Sequence, residues 1–262
     1  MRRTLPLLCS ALVLLLAAGA QAAILNNGVD TGRPPGQSAP SARHAESCNV
    51  LWFGPGGGSG VEDQRISGLG FPATFTNNPA DLSAANLVNY RILVVAGTGP
   101  GVIASAQAAI ESFVRAGGGL LIHQPNISGV LDYTPAGFDV NTTDTYWCGF
   151  PSGHIGHIVN GSHPITGGLT DADLSGPFDW VASLGPGYAL LAVNNLPGCM
   201  DPMLGAGTLD NGNVVYEDGN CYSGSLAPGS DQYWTNLFTW LCSGSPTPTH
   251  NETWGKLKSI YR

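Results

Sequence analysis

The stretch RILVVAGTGPGVIASAQAAIESFVRAGGGLLIH, residues 91–123, decides the fold of this chain. Its first apolar run, 92–96, carries no polar residue, which is typical of a central parallel strand. After the glycine-rich turn at 97–101, apolar residues recur at helical spacing: Ile103, Ala106, Ile110, Phe113 and Val114. Glycines 117–119 end that helix, and the run 120–122 begins another strand. Strand, helix and strand at this length predict a right-handed βαβ crossover in a parallel sheet.

Upstream, the pattern predicts two more strands and a short helix. The apolar run 49–53 stops at a glycine-rich loop, as a buried strand that ends in a loop does. A helix over 62–68 and a strand over 73–76 follow. Residues 23–47 are rich in Gly, Pro, Ser and Asn without periodicity, which predicts a disordered leader.

Downstream, the chain from Pro125 to Pro164 lacks a hydrophobic period and is predicted to be a long loop. Three apolar runs then predict strands: 188–193, 203–206 and 214–216. Asp210-Asn211-Gly212 predicts a hairpin between the last two. Asp231 is the expected N-cap of a closing helix with one apolar face, formed by Trp234, Leu237, Phe238 and Leu241.

The first 22 residues are typical of a signal peptide. Arg2 and Arg3 precede a short apolar run at 12–18, and Ala20-Gln21-Ala22 offers a cleavage site. The run is too short to span a bilayer, so no stable membrane insertion of the mature chain is expected. We therefore expect a secreted, periplasmic or cell-surface protein.

The acidic balance of the chain bears on which classes of partner it can bind. The chain has 18 acidic and ten basic residues, and two of the basic ones leave with the signal peptide. A mature chain with so few Lys and Arg has no basic stripe for phosphates, which argues against nucleic acid or anionic lipid.

Five cysteines follow the signal peptide: Cys48, Cys148, Cys199, Cys221 and Cys242. None has the C-x-x-C spacing of zinc knuckles or thioredoxin-like proteins. In an oxidising compartment most of them should form disulfides, and the odd number leaves one over.

Taken together, the segments resemble the ThuA-like branch of the class I glutamine amidotransferase-like superfamily. The matching pieces are 89–95, 113–123, 163–169, 212–216 and 236–241. They imply a domain at 48–243, followed by a Ser/Pro/Thr linker and short tail at 244–262. The implied fold is a single doubly wound, flavodoxin-like, mostly parallel sheet with helices on both faces and a C-terminal β-hairpin.

The resemblance also predicts what is missing. Catalytic members of the superfamily carry a nucleophilic cysteine on the turn after the strand that follows the glycine-ended helix. Here that strand ends in His123-Gln124-Pro125, without cysteine or serine. The loop at 97–101 could donate backbone N–H groups, but no nucleophile accompanies it. Amidotransferase activity should therefore be absent.

Ligands of doubly wound sheets bind outside the carboxyl ends of the strands. The residues expected to bind a ligand there are Gly97, Gly99, His123, Gln124 and Trp147. His123 resembles a histidine that ThuA-like proteins keep at this point, although it could equally bond to a loop. Trp147 could stack on a sugar ring or pack in the interior.

His154 and His157 are the candidate metal ligands, because imidazoles commonly bind zinc. Their glycine neighbours instead favour a flexible loop, so no cofactor is the main expectation and a divalent metal the alternative. His163 before Pro164 is interpreted as part of a structural turn. Asp171, Asp173, Asp210 and Asp218 lie in Gly/Asn-rich turns, where carboxylates cap N–H groups.

Three functions are considered. The leading hypothesis is an exported domain that binds a small polar ligand, plausibly a glycan or other carbohydrate, since the resemblance implies sugar metabolism. The alternative is a hydrolase or isomerase that uses His123 with Asp218, or a histidine-bound metal. The third is a cell-surface structural module, whose tail could contact a partner.

Topology predicts the disulfides. Helices of this fold run antiparallel to their strands, so Cys48 and Cys242 should share the amino edge of the sheet. The other three cysteines belong to the opposite edge, and a disulfide spans at most about 7 Å between Cα atoms. We therefore expect Cys48–Cys242 and Cys199–Cys221, with Cys148 left over.

Overall fold

The structure is a computed structural model. It describes residues 48–54, 61–123, 129–143, 156–174, 181–194, 201–219 and 229–244. The predicted signal peptide, leader and C-terminal tail lie outside these ranges. No helix within them combines the length and apolar character needed to cross a membrane.

The described residues form eleven strands and four α-helices. The strands are β1 (Val50–Phe53), β2 (Ala73–Thr76), β3 (Ile92–Ala96), β4 (Gly119–His123), β5 (Gly129–Val130), β6 (Val140–Thr143), β7 (Gly156–Ile158), β8 (Val181–Leu184), β9 (Ala189–Asn194), β10 (Pro202–Leu209) and β11 (Gly212–Glu217). The helices are α1 (Val61–Gly68), α2 (Ala84–Leu87), α3 (Gln107–Arg115) and α4 (Asp231–Cys242).

The main sheet has eight strands in the order β2-β1-β3-β4-β11-β10-β9-β7. The first five are parallel to one another, and β10, β9 and β7 continue the sheet by antiparallel pairing. The βαβ crossover from β3 through α3 to β4 and the hairpin between β10 and β11 are both confirmed. At the hairpin tip Asp210 has a φ of 52°, a conformation that Asp and Asn tolerate better than most residues.

Helices cover both faces of this sheet, as predicted. On the first face, α1 contributes Ile66, and α4 contributes Tyr233, Trp234, Leu237, Phe238 and Leu241. On the second face, α3 contributes Ile110 and Val114, beside Leu87 of α2. The fold is thus a doubly wound α/β domain of the flavodoxin-like kind.

The prediction of a long loop at 125–164 was wrong within the described residues. β6 pairs with β5 on one side and with β8 on the other in a second, antiparallel sheet, and β7 joins the main sheet beside β9. β5, β6 and β7 have two to four residues, too few for a period-2 pattern to show. The partners of β6 and β7, which are β8 and β9, lie far along the chain, so local sequence carried no signal of those pairings.

The start of α4 also differs by one residue. Ser230, not Asp231, is the N-cap, and its hydroxyl accepts a hydrogen bond from the backbone N–H of Tyr233. Asp231 is instead the first helical residue, and its carboxylate binds Arg65 of α1 at 2.7 Å. Both residue types suit this end of a helix, and only the backbone conformation distinguishes them.

The amino edge of the sheet holds the end of α4 tightly. Arg91 donates hydrogen bonds to the carbonyls of Cys242 and Gly244, at 3.1 and 2.7 Å. The Asn213 side chain donates to the carbonyl of Trp240 at 2.7 Å. These donors satisfy carbonyls that a helix end leaves unpaired.

The predicted Cys48–Cys242 disulfide is present at the same edge, with its Cα atoms 6.1 Å apart. It joins residues just before β1 and at the end of α4, across 194 positions of sequence. Cys148, Cys199 and Cys221 lie outside the described residues, so the second disulfide stays a prediction.

We expect the double substitution C48S/C242S to lower the free energy of unfolding by about 3–5 kcal/mol. The disulfide closes a loop of nearly the whole domain and so restricts the unfolded chain, and without it the unfolded chain gains conformational entropy. Urea unfolding of the variant and the parent, both without reductant, measures the difference. Equal midpoints would show that the disulfide does not stabilise the domain.

Gly119 offers a second test of the amino edge. A Cβ there would lie 2.7 Å from the carbonyl oxygen of Leu241, so Gly119→Ala should push α4 off the sheet and cost about 1–3 kcal/mol. Gly68, at the end of α1, has nothing within 4 Å of its Cβ position and serves as the matched control. Gly68→Ala should leave the thermal midpoint unchanged or raised, and an equal loss in both variants would refute the packing argument.

Candidate functional site

A buried histidine and glutamate face each other at the carboxyl edge of the sheet. The parallel register of β4 and β11 places His123 opposite Glu217, each at the last position of its strand. Nδ1 of His123 is hydrogen-bonded to Oε2 of Glu217, and neither residue has any exposed surface. The second oxygen of Glu217, Oε1, is buried without a hydrogen-bond partner among the described residues.

Glu217 is the functional candidate that sequence reasoning missed. Asp218 had been paired with His123, but it lies one position further along, where side chains alternate to the other face of the sheet. Burial raises the pKa of Tyr216 well above its usual value, and the charge of Asp218 adds to that rise. The signal that identifies Glu217 is its place at the end of an otherwise apolar strand, which becomes informative once β11 is known to lie beside β4.

Aromatic side chains enclose the pair. The rings of Trp52 and Trp234 meet the imidazole edge to face, with centroids 5.8 and 5.7 Å from it. Tyr233 lies in the first turn of α4, and burial together with the charge of Glu217 raises its pKa well above the usual value. Its hydroxyl therefore keeps its proton at physiological pH and remains a hydrogen-bond donor.

A second buried carboxylate comes from α1. Glu62 is only 3% exposed, and its Oε1 has no hydrogen-bond partner within the described ranges. It lies one helical turn before Ile66, which packs in the same core cluster as Tyr233 and Trp234. Arg65 of α1 binds Asp231 and the carbonyl of Gly229, so the first turns of α1 and α4 are neighbours. Glu62 and Glu217 thus share the first face and the carboxyl edge of the sheet.

The glycine-rich turn after β3 uses its donors internally. The N–H of Gly97 donates to the carbonyl of His123 at 3.0 Å, and that of Gly101 donates to Asp132 at 2.9 Å. Both glycines have positive φ, 58° and 81°, which the turn requires. The hydroxyl of Tyr133 donates to the carbonyl of Thr98 at 3.1 Å and fixes the same turn, which also contains Gly99.

Two consequences follow for binding at this turn. The donors that a nucleophile or an anion would need at Gly97 and Gly101 are already taken, so the turn does not supply an oxyanion site from these two groups. A carboxylate, that of Asp132, lies directly on the turn and repels negative charge.

Of the two candidate metal ligands, only His157 belongs to the described part of the chain. His157 lies on β7, the last strand of the main sheet, where it is 48% exposed and its Nδ1 is 2.9 Å from Asp171. A bond from the Ile158 N–H, aided by His157, lowers the pKa of Asp171. Among the described residues no group of three His, Cys, Asp or Glu side chains could hold a metal ion. His154 lies outside these residues, as do Gln124 and Trp147, so their predicted roles stay predictions.

His163 has the structural role expected of it. Its Nδ1 accepts a hydrogen bond from the N–H of Ile165 at 3.2 Å, and its ring packs on Trp240 with centroids 5.0 Å apart. Burial lowers its pKa, which favours the neutral ring that this bond needs.

The buried pair gives a mutational prediction. Glu217→Leu or His123→Leu alone should each cost about 3–5 kcal/mol of unfolding free energy, because one polar partner is left buried by itself. The double substitution H123L/E217L should recover most of that loss. The exposed pair at His157 and Asp171 is the control, and His157→Ala should cost about 1 kcal/mol or less. Denaturant unfolding measures all four, and single-site costs no larger than the control would contradict a coupled buried pair.

Comparisons with known proteins agree on the fold. No family model and no curated protein matches the sequence. Solved structures do match: a cytoplasmic protein from Salmonella typhimurium is similar at 16% identity, over 73% of this chain and 98% of that one, with a TM-score of 0.53. A protein named as ThuA-like from Bacteroides uniformis is similar at 13% identity, over 80% and 95%, with a TM-score of 0.50.

A third similar structure, from Thermoplasma acidophilum, is named as a GMP synthase protein. It has 12% identity, covers 75% of this chain and 94% of that one, and has a TM-score of 0.51. Such low identities bear on the fold and leave the chemistry to the residues of this chain. The region from β1 to α4 is therefore a domain with the ThuA-like fold.

Proposed function

We propose that this domain binds a small, non-anionic, hydroxyl-rich ligand of the carbohydrate type at the carboxyl edge of its sheet, in an exported protein without amidotransferase activity. The observation that carries the proposal is the set of buried acceptors at that edge. Oε1 of Glu62 and Oε1 of Glu217 have no hydrogen-bond partner in the described structure. Sugar hydroxyl groups can donate hydrogen bonds to such oxygens.

The sign of the charge supports the choice of ligand. Glu62, Asp132, Glu217 and Asp218 all belong to segments that begin or end at this edge. The nearby turn has two of its N–H groups engaged within the protein. Phosphates and carboxylates would meet negative charge and few available donors, whereas neutral hydroxyl groups incur no such penalty.

Aromatic rings surround the buried pair at this edge. Trp52 and Trp234 lie around His123, with ring centroids 5.8 and 5.7 Å from the imidazole. Trp52 is 2% exposed. These rings therefore shape the base of the site, and any ring that stacks on the ligand would come from outside the described residues, where Trp147 is the sequence candidate.

The rival hydrolase or isomerase has less support. His123 has no exposed surface, and one of its two ring nitrogens is bonded to Glu217. Both hypotheses require this edge to open, because a general base must reach the proton that it removes and a ligand must reach Glu62 and Glu217, which are 3% and 0% exposed. The absence of amidotransferase activity is proposed from the sequence, because the strand after the glycine-ended helix ends in His123-Gln124-Pro125, without cysteine or serine at the turn. A purely structural module does not explain the unpaired acceptors.

A thermal-shift panel tests the proposal. Neutral sugars should raise the melting temperature, because a ligand that binds the folded state stabilises it by mass action. Phosphate esters of the same sugars are the matched control and should have a smaller effect at equal concentration and ionic strength. A larger shift with the phosphate esters would contradict the assignment of a non-anionic ligand, and release of ammonia from glutamine above the blank would contradict the lack of amidotransferase activity.

A further inference from the structure

Glu62 is an unusual residue for its position. Acidic residues are common in the first turn of a helix, where they are normally solvated and interact with the helix dipole. Asp231 of α4 follows that pattern, since its side chain is 70% exposed and binds Arg65. Glu62 is 3% exposed, its Oε1 has no hydrogen-bond partner, and no ion pair joins it to a cation in the described part of the chain. The helix dipole alone does not explain burial of this carboxylate.

The surroundings of Glu62 add negative charge. Glu217 lies on the same face and edge of the sheet. Its Oε2 is hydrogen-bonded to His123, and its Oε1 has no hydrogen-bond partner among the described residues. The nearest basic side chain on the same helix, Arg65, is engaged with Asp231 and Gly229. A buried carboxylate without a cation is costly, and a cation that reached it would recover much of that cost.

A third group at this edge is a donor with no acceptor. The hydroxyl of Tyr233 is buried without a hydrogen-bond partner in the described structure, in the same core cluster as Ile66 of α1. One oxygen of Glu62, one oxygen of Glu217 and the hydroxyl of Tyr233 therefore lack partners among the described residues, on one face of this edge. A ligand with a protonated amine beside a hydroxyl group complements this set, because the amine donates to the carboxylates and the hydroxyl can accept from the phenol.

We propose that Glu62 is the recognition residue for a protonated amine on the ligand, with Glu217 as the second negative charge and Tyr233 as the donor to a neighbouring hydroxyl. The ligand class is an amino sugar with a free amine. This inference rests on the proposed function, since it names the chemistry of the ligand at the same edge.

Three oligosaccharides with the same β-1,4-linked backbone test it: a chitosan oligomer with a free amine at C2, its N-acetylated counterpart, and the cello-oligomer with a hydroxyl at C2. Titration calorimetry at mildly acidic pH, where the amine is protonated, should show the chitosan oligomer binding about tenfold or more tightly than the other two. Glu62→Gln should abolish that preference. Glu111→Gln is the matched control, because Glu111 lies on α3, on the second face of the sheet, and binds Arg115 at 2.7 Å.

The outcomes distinguish failure of the amine assignment from failure of the proposed sugar binding. Equal binding of all three oligomers, or a preference that survives Glu62→Gln, overturns the amine assignment and leaves the sugar-binding proposal standing. No binding of any oligomer overturns both. Folding of the variant has its own readout, because replacing an unpaired buried carboxylate with a neutral amide should leave the melting temperature of the ligand-free protein unchanged or raised. A large drop in that temperature would show that Glu62 is a structural residue and overturn the inference.

Discussion

The structure depends on the parallel pairing of β4 with β11. These strands are distant in sequence, yet they pair in register from Gly119 opposite Asn213 to Glu217 opposite His123. The pairing attaches the C-terminal hairpin to the βαβ unit and places α4 over the centre of the sheet. It needs close approach at its amino end, where a Cβ on Gly119 would meet Leu241. At its carboxyl end, it brings together the two side chains on which the candidate site is built.

The two edges of the sheet differ in how their buried polar groups are paired. At the amino edge, the Cys48–Cys242 disulfide and the side-chain donors of Arg91 and Asn213 hold the end of α4. Every polar group in that set has a partner, so its effect is stability. At the carboxyl edge, Glu62 and Glu217 are buried with oxygens that lack partners within the described residues. Unpaired buried polar groups cost free energy, which is the reason for our proposal that a ligand binds them.

The buried pair and the turn after β3 are the described features behind the proposal that the domain lacks amidotransferase activity. In this chain the strand after the glycine-ended helix delivers a histidine to the edge, and that histidine is bonded to Glu217 and enclosed by Trp52 and Trp234. The turn after β3 is bonded to His123 and Asp132 through its own N–H groups. Among the described residues, neither feature places a nucleophile beside free backbone donors.

The sequence by itself predicted the βαβ crossover and the hairpin, because apolar runs and glycine turns indicate which segments are buried and where the chain reverses. The resemblance to ThuA-like proteins implied the doubly wound fold, and the topology of that fold predicted the Cys48–Cys242 pairing. The sequence also found His123, which ends a strand with a strong pattern. Only the tertiary structure identified Glu217 as its partner, since strand order is set by contacts between distant segments and leaves no local signal. The short strands β6 and β7 were not predicted for the same reason, since their partners β8 and β9 lie far along the chain. The burial of Glu62 likewise became visible only when α1 packed beside α4, because a glutamate in a first helical turn is locally typical of solvent exposure.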